Sequence, residues 1–225
     1  MKTRAELKQS AKDVLRGHWG QAVGLNALTV ILAYGSFGVS MRQQYANFNV
    51  NGQVGSSSFL VSVLAVAINF GVWFTFLSWI RQPNREIRPL RDAFSVIATP
   101  AVFALLLQWL IITFVVGIGL FLLLIPGIIV GLMWSQAVYV YKDLHDANPD
   151  ASVWQGMMPA LSISAQLMRG HKWEFFVLQL SFLGWILLGM VSLGIGFFWI
   201  TPYINATSAA YYDELEASSD VDLTM

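Results

Sequence analysis

Apolar residues run in six uninterrupted stretches along this chain, and the polar residues gather between them. The stretches cover residues 20–40, 58–80, 100–117, 119–141, 175–192 and 194–212, and none contains Asp, Glu, Lys, Arg or His. At 1.5 Å per residue, each is long enough, with some tilt, to cross a hydrocarbon layer ~30 Å thick. A soluble helix would place charged residues on its water-facing side every few positions. The pattern predicts an all-α membrane protein with six transmembrane helices in three hairpins, forming one polytopic domain over residues 1–225.

Between the spans a second period recurs. Leu7, Ala11, Val14, Leu15 and His18 follow helical spacing in residues 1–18, as do Ile87, Leu90, Phe94 and Ile97 in 86–99, and Val153, Met157, Leu161, Ala165 and Met168 in 151–169. Each reads as a cytoplasmic amphipathic helix lying on the membrane surface ahead of a hairpin. Residues 1–18 mix five cations with Glu6 and Asp13, which is not the n-region of a cleavable signal. Short echoes mark a threefold repeat. Arg16-Gly17-His18 returns as Arg169-Gly170-His171, and Gly117-Ile118-Gly119 returns as Gly194-Ile195-Gly196 at what read as tight outer turns. Pro126 and Pro202 then interrupt the following helices, which end in Tyr139, Tyr141, Asp143 and in Tyr211, Tyr212, Asp213.

Basic residues set the orientation. Segments 1–19, 81–99 and 142–174 hold five, four and three Lys or Arg, the acidic tail 213–225 holds none, and the stretch 41–57 holds only Arg42. This bias places the three basic segments and both termini in the cytoplasm. Composition agrees: 56% of residues are hydrophobic and 12% charged, against roughly 25% charged in soluble domains. Zero net charge argues against nucleic acid as a partner. The chain has no cysteine, which excludes disulfides and thiolate chemistry.

Catalytic chemistry finds no footing in this pattern. His18, His145, His171 and every carboxylate lie outside the spans, so no intramembrane Ser–His pair, Asp pair or His cluster is available. The expectation is a protein that is not an enzyme and has neither cofactor nor metal.

Two groups of residues are candidate sites. Thr201, Asn205 and Ser208 share a helix face beside Pro202, a polar intramembrane stripe that suits a binding site or hydrogen bonds to Gln108, Gln136 or Gln179. Arg16, His18, Arg169, His171, Lys172 and Trp173 suit contact with lipid headgroups, or simply anchor their helices at the interface. Trp19, Trp79 and Trp173 fall where an interfacial belt is expected, and Trp109, Trp134 and Trp185 deeper. Gly20/Gly24 and Gly127/Gly131 permit close helix contact.

The runs Leu15-Arg16-Gly17-His18-Trp19, Ile125-Pro126-Gly127, Leu167-Met168-Arg169-Gly170-His171-Lys172-Trp173, Leu180-Ser181-Phe182-Leu183-Gly184-Trp185, Leu193-Gly194-Ile195-Gly196 and Pro202-Tyr203 carry a resemblance. Together they resemble a family of uncharacterised integral membrane proteins common in Gram-positive bacteria, and distantly the membrane domain of some glycerophosphodiester phosphodiesterases. The resemblance spans most of the chain, is most specific over 164–215, and departs from the family over 142–160. It implies a multi-pass bacterial plasma-membrane protein and carries over no catalytic residue. The functional expectation is a non-enzymatic envelope protein that binds membrane lipids or a second membrane protein. The alternatives are a permease or export component for a small or amphiphilic solute, and an immunity protein against a membrane-active peptide. Nothing in the pattern specifies an oligomeric state.

Overall fold

The computed structural model describes residues 2–32, 56–83, 85–122, 124–149 and 151–219. Among these the chain is all α-helical: α1 Arg4–Leu15, α2 Trp19–Leu32, α3 Ser56–Arg81, α4 Pro89–Ala93, α5 Ala101–Leu122, α6 Leu124–Met133, α7 Ala137–Ala147, α8 Met157–Leu167, α9 Lys172–Leu180, α10 Leu183–Val191 and α11 Phe197–Ala217. Three stretches are long and apolar enough to cross a membrane: Val61–Arg81, Ala101–Phe121 and Lys172–Val191. The expected end of the first span and the polar stretch around Arg42 lie outside the described residues.

α1 begins at a capping box. The Thr3 hydroxyl accepts from the Glu6 amide at 3.3 Å, and the Glu6 carboxylate accepts from the Thr3 amide at 2.6 Å. Its stripe Leu7, Ala11 and Leu15 is buried, against protein rather than lipid, because α1 lies along α11. Lys2 reaches Glu214 at 2.8 Å and Lys12 lies 5.8 Å from the centre of the Tyr203 ring, so the two helices run antiparallel. α4 packs on α3 and α8 on α7. Each amphipathic segment thus covers the helix that ends the preceding hairpin in the predicted repeat, and α1 closes the set by covering the last.

Several expected boundaries move. α5 runs through Gly117-Ile118-Gly119, so these residues form no turn. They serve a close crossing instead: a Cβ placed on Gly119 would lie 2.8 Å from the Gly127 Cα, and one on Gly127 would lie 2.4 Å from the Leu120 amide. Without a charged residue nearby, nothing in the pattern distinguished a crossing glycine from a turning one. Pro126 falls in the first turn of α6, where a missing N–H costs little, whereas Pro202 lies inside α11. The two prolines are therefore not equivalent breaks. The span 119–141 is divided by a turn at 134–136, whereas 175–192 lies almost wholly within the membrane-crossing stretch Lys172–Val191, with a local turn at 181–182.

Only Pro89–Ala93 of the second amphipathic segment is α-helical. Val96, Ile97 and Thr99 are β-branched, and Pro100 disfavours helix before it. Ile87 is buried there, but Leu90 is exposed. The acidic tail is helical through Ala217 because its carboxylates have partners: Glu214 meets Lys2, while Asp213 and Glu216 meet Arg81.

Arg81 joins the ends of α3, α7 and α11. Its guanidinium donates to both oxygens of Asp143 at 2.7 and 3.0 Å, to Asp213 at 3.0 Å, and to Glu216. The Tyr212 hydroxyl donates to Asp143 at 2.6 Å. Burial, with Asp143 and Asp213 close by, holds the Glu216 carboxyl above the usual carboxylate range despite Arg81.

Candidate functional site: two grooves at the Arg-Gly-His motifs

The two Arg-Gly-His motifs share one backbone solution. Gly17 and Gly170 have φ of +82° and +81°, the left-handed region where glycine alone is unstrained. In both, the histidine amide donates to the carbonyl three residues back, His18 to Leu15 at 3.0 Å and His171 to Met168 at 3.3 Å. Each motif lies between the end of an amphipathic helix and the start of the next helix.

Each histidine also meets an aromatic residue from a later helix. The His18 ring packs edge-on to Trp79 at 6.0 Å. The Tyr211 hydroxyl donates to the His171 carbonyl at 3.3 Å. Trp79 is fully buried, so it packs in the core rather than joining an interfacial belt.

A lateral groove opens beside each motif. The first encloses about 360 Å³ between the α1–α2 turn and α10–α11; Arg16 and Lys12 stand at it with Trp19, Trp185, Trp199 and Tyr203. The second encloses about 430 Å³ between α6 and α9, with Lys172 and Trp173 against Ile125, Ile128, Leu132 and Phe176. Both have apolar walls, and each has a cationic residue and a tryptophan among its lining. Trp185 and Trp199 are about half exposed. Of the expected headgroup residues, the grooves take Arg16, Lys172 and Trp173. His18 turns to Trp79, His171 bonds Glu174 at 3.3 Å, and Arg169 is exposed outside either groove. Lys12 and Trp199 were not singled out in the sequence; their helix-by-helix spacing to Arg16 and Tyr203 carries no sign that α1 lies on α11.

The polar stripe resolves differently. The Asn205 amide donates to the Asn26 side chain at 2.8 Å, and Asn26 in turn donates to the Ala22 carbonyl at 3.0 Å. Thr201 and Ser208 are half-buried and Pro202 is buried. The stripe therefore holds α11 to α2, through Asn26 rather than through the glutamines. Gln108 is buried with neither amide atom partnered among the described residues.

A polar cavity of about 440 Å³ lies between α3 and α7, with Arg81, Arg85 and Lys142 among its lining. Each of these cations has a carboxylate: Asp143 for Arg81, Asp92 for Arg85 and Asp146 for Lys142. Among the described residues this cavity offers an anion no unpaired cation. Among the described residues no three His, Asp or Glu side chains gather as a metal centre requires.

Residues 93–219 match the family described as "Protein of unknown function (DUF975)". No curated protein and no solved structure matches the chain.

Proposed function

The chain belongs to the DUF975 family, and from its two motif grooves we propose that it is a non-enzymatic, multi-pass membrane protein that holds anionic phospholipids. In this reading both termini face the cytoplasm, and the cations of the grooves meet lipid headgroups. The observation that carries it is the recurrence of one device: a left-handed glycine, a cation and a tryptophan beside an apolar groove, built once at Gly17 and again at Gly170.

The division of labour follows from the solvent. An acyl chain leaving bulk lipid for an apolar groove gains little, because lipid tails are as apolar as leucine. The walls therefore set depth and orientation, and selection falls to the cations. Each Lys or Arg near the headgroups contributes about 1 kcal/mol toward an anionic lipid. Lys12 and Arg16 together give about 2 kcal/mol, near a 30-fold preference over a zwitterionic lipid.

Native mass spectrometry in mild detergent tests this, with phosphatidylglycerol and phosphatidylcholine offered at equal concentration. The wild type is expected to retain phosphatidylglycerol preferentially. The Arg16→Gln/Lys172→Gln variant is expected to lose most of that preference. Equal retention of both lipids by the wild type would sink the reading. Asn205, on which the permease alternative rests, donates to Asn26.

A further inference from the structure

The two grooves differ in charge, and the difference points to different lipids. Resting on the anionic-lipid reading above, the case concerns the α1 groove alone. Arg4, Lys8, Lys12 and Arg16 recur every fourth residue, so they form one ridge along α1 with successive charges about 6 Å apart. Among the described residues none of the four has a carboxylate within ion-pair distance, whereas Lys2, ahead of the helix, is paired with Glu214. Glu6 and Asp13 are bonded locally, to Thr3 and Gln9. Aromatic faces take the place of carboxylates: Lys8 lies 4.6 Å from the centre of the Phe182 ring and Lys12 5.8 Å from that of Tyr203. Burial, Lys12 and Arg4 all lower the Lys8 ammonium pKa, the sign of cations crowded without an anion.

The ridge runs directly into the groove, since Lys12 and Arg16 both line it beside Trp185 and Trp199. The α9 groove holds one cation, Lys172. One singly charged headgroup would neutralise Lys172 but leave most of the α1 ridge uncompensated. Two phosphates joined by a short polyol bridge span about one helical turn and meet successive cations, whereas a diphosphate shares one oxygen and is more compact.

We propose that the α1 groove holds a phospholipid with two bridged phosphates, a diphosphatidyl lipid, with its phosphates on Lys12 and Arg16 and one chain against Trp185 and Trp199. The α9 groove takes a singly charged phospholipid.

The test is native mass spectrometry of the full chain with cardiolipin, phosphatidylglycerol and phosphatidylethanolamine in competition. One cardiolipin is expected to be retained over phosphatidylglycerol by roughly fivefold or more, the effect of one further cation–phosphate contact. Lys12→Gln/Arg16→Gln should abolish that preference while phosphatidylglycerol bound near Lys172 persists, which also shows that the variant is folded. Lys2→Gln should leave the preference intact. Equal retention of cardiolipin and phosphatidylglycerol, both above phosphatidylethanolamine, would overturn this proposal and leave the anionic-lipid reading standing. Retention of all three alike would overturn both. Displacement of the lipid by inorganic diphosphate at similar concentration would assign the ridge to a soluble anion and overturn the proposal as well.

Discussion

Arg81 and Asp143, 62 residues apart in sequence, meet through two parallel hydrogen bonds of 2.7 and 3.0 Å. The same guanidinium also holds Asp213 and Glu216, so one side chain secures the ends of α3, α7 and α11. These are corresponding positions in the predicted repeat, each two residues after an aromatic residue: Trp79, Tyr141 and Tyr211.

Removing the guanidinium leaves three carboxylates facing one another. At 29% side-chain exposure the site is only partly shielded from water, so Arg81→Gln is expected to cost about 2 kcal/mol rather than the larger penalty of a fully buried pair. Thermal unfolding in detergent, followed by tryptophan fluorescence, measures this. Adding Asp213→Asn should recover part of the loss, because it relieves the repulsion.

The attachment of α1 to α11 should depend on pH on both sides. A side-chain hydrogen bond from Lys2 holds the Glu214 carboxyl below its ordinary value of 4.5, and the same bond raises Lys2 above its ordinary 10.5. The Glu214 contribution is therefore complete above about pH 4.5 and lost as pH falls through its lowered value. The Lys2 contribution is complete below about pH 10.5 and lost as pH rises through its raised value. Protection of the α1 amides, taken relative to the intrinsic exchange rate at each pH, is expected to be greatest between these limits, and Glu214→Gln should remove the difference in protection between neutral and acid conditions.

The α5–α6 crossing separates two glycines that look alike in sequence. Gly127→Ala places a methyl within 2.4 Å of the Leu120 amide, which must separate the helices. A cost of about 2–3 kcal/mol is expected. At Gly131 the nearest atom is a Val116 methyl at 3.7 Å, ordinary contact, so Gly131→Ala should leave the unfolding temperature nearly unchanged.

The multi-pass reading can be tested cleanly because the chain has no cysteine. Leu193 stands 92% exposed at the α10–α11 tip. In intact cells Leu193→Cys is expected to react with a membrane-impermeant maleimide, and Asp146→Cys only after lysis. Labelling of Asp146→Cys from outside would reverse the orientation.

How far the fold could be read from sequence depended on whether a residue's partner was local. The helical period of α1 and α8, the apolar run of α3 and the matching Arg-Gly-His motifs are local, and their structure follows the pattern, down to the shared φ of Gly17 and Gly170. Boundaries failed where charge was absent. From residue 100 to 141 no ionised side chain marks water, so neither the continuation of α5 past Gly119 nor the turn at 134–136 had a signal. Long-range partners were equally hidden. Asn205 read as part of a stripe, but its acceptor is Asn26, 179 residues away. Trp185 read as lying deeper than the interfacial belt, and nothing local showed that it lines the groove that α1 completes.

The most direct test places a photocrosslinker in the α1 groove. With p-benzoylphenylalanine in place of Trp199, irradiation of native membranes is expected to yield a protein adduct whose added mass is that of an anionic phospholipid, with its yield reduced by Arg16→Gln. An adduct with a polypeptide, or with zwitterionic lipid regardless of Arg16, would contradict the account.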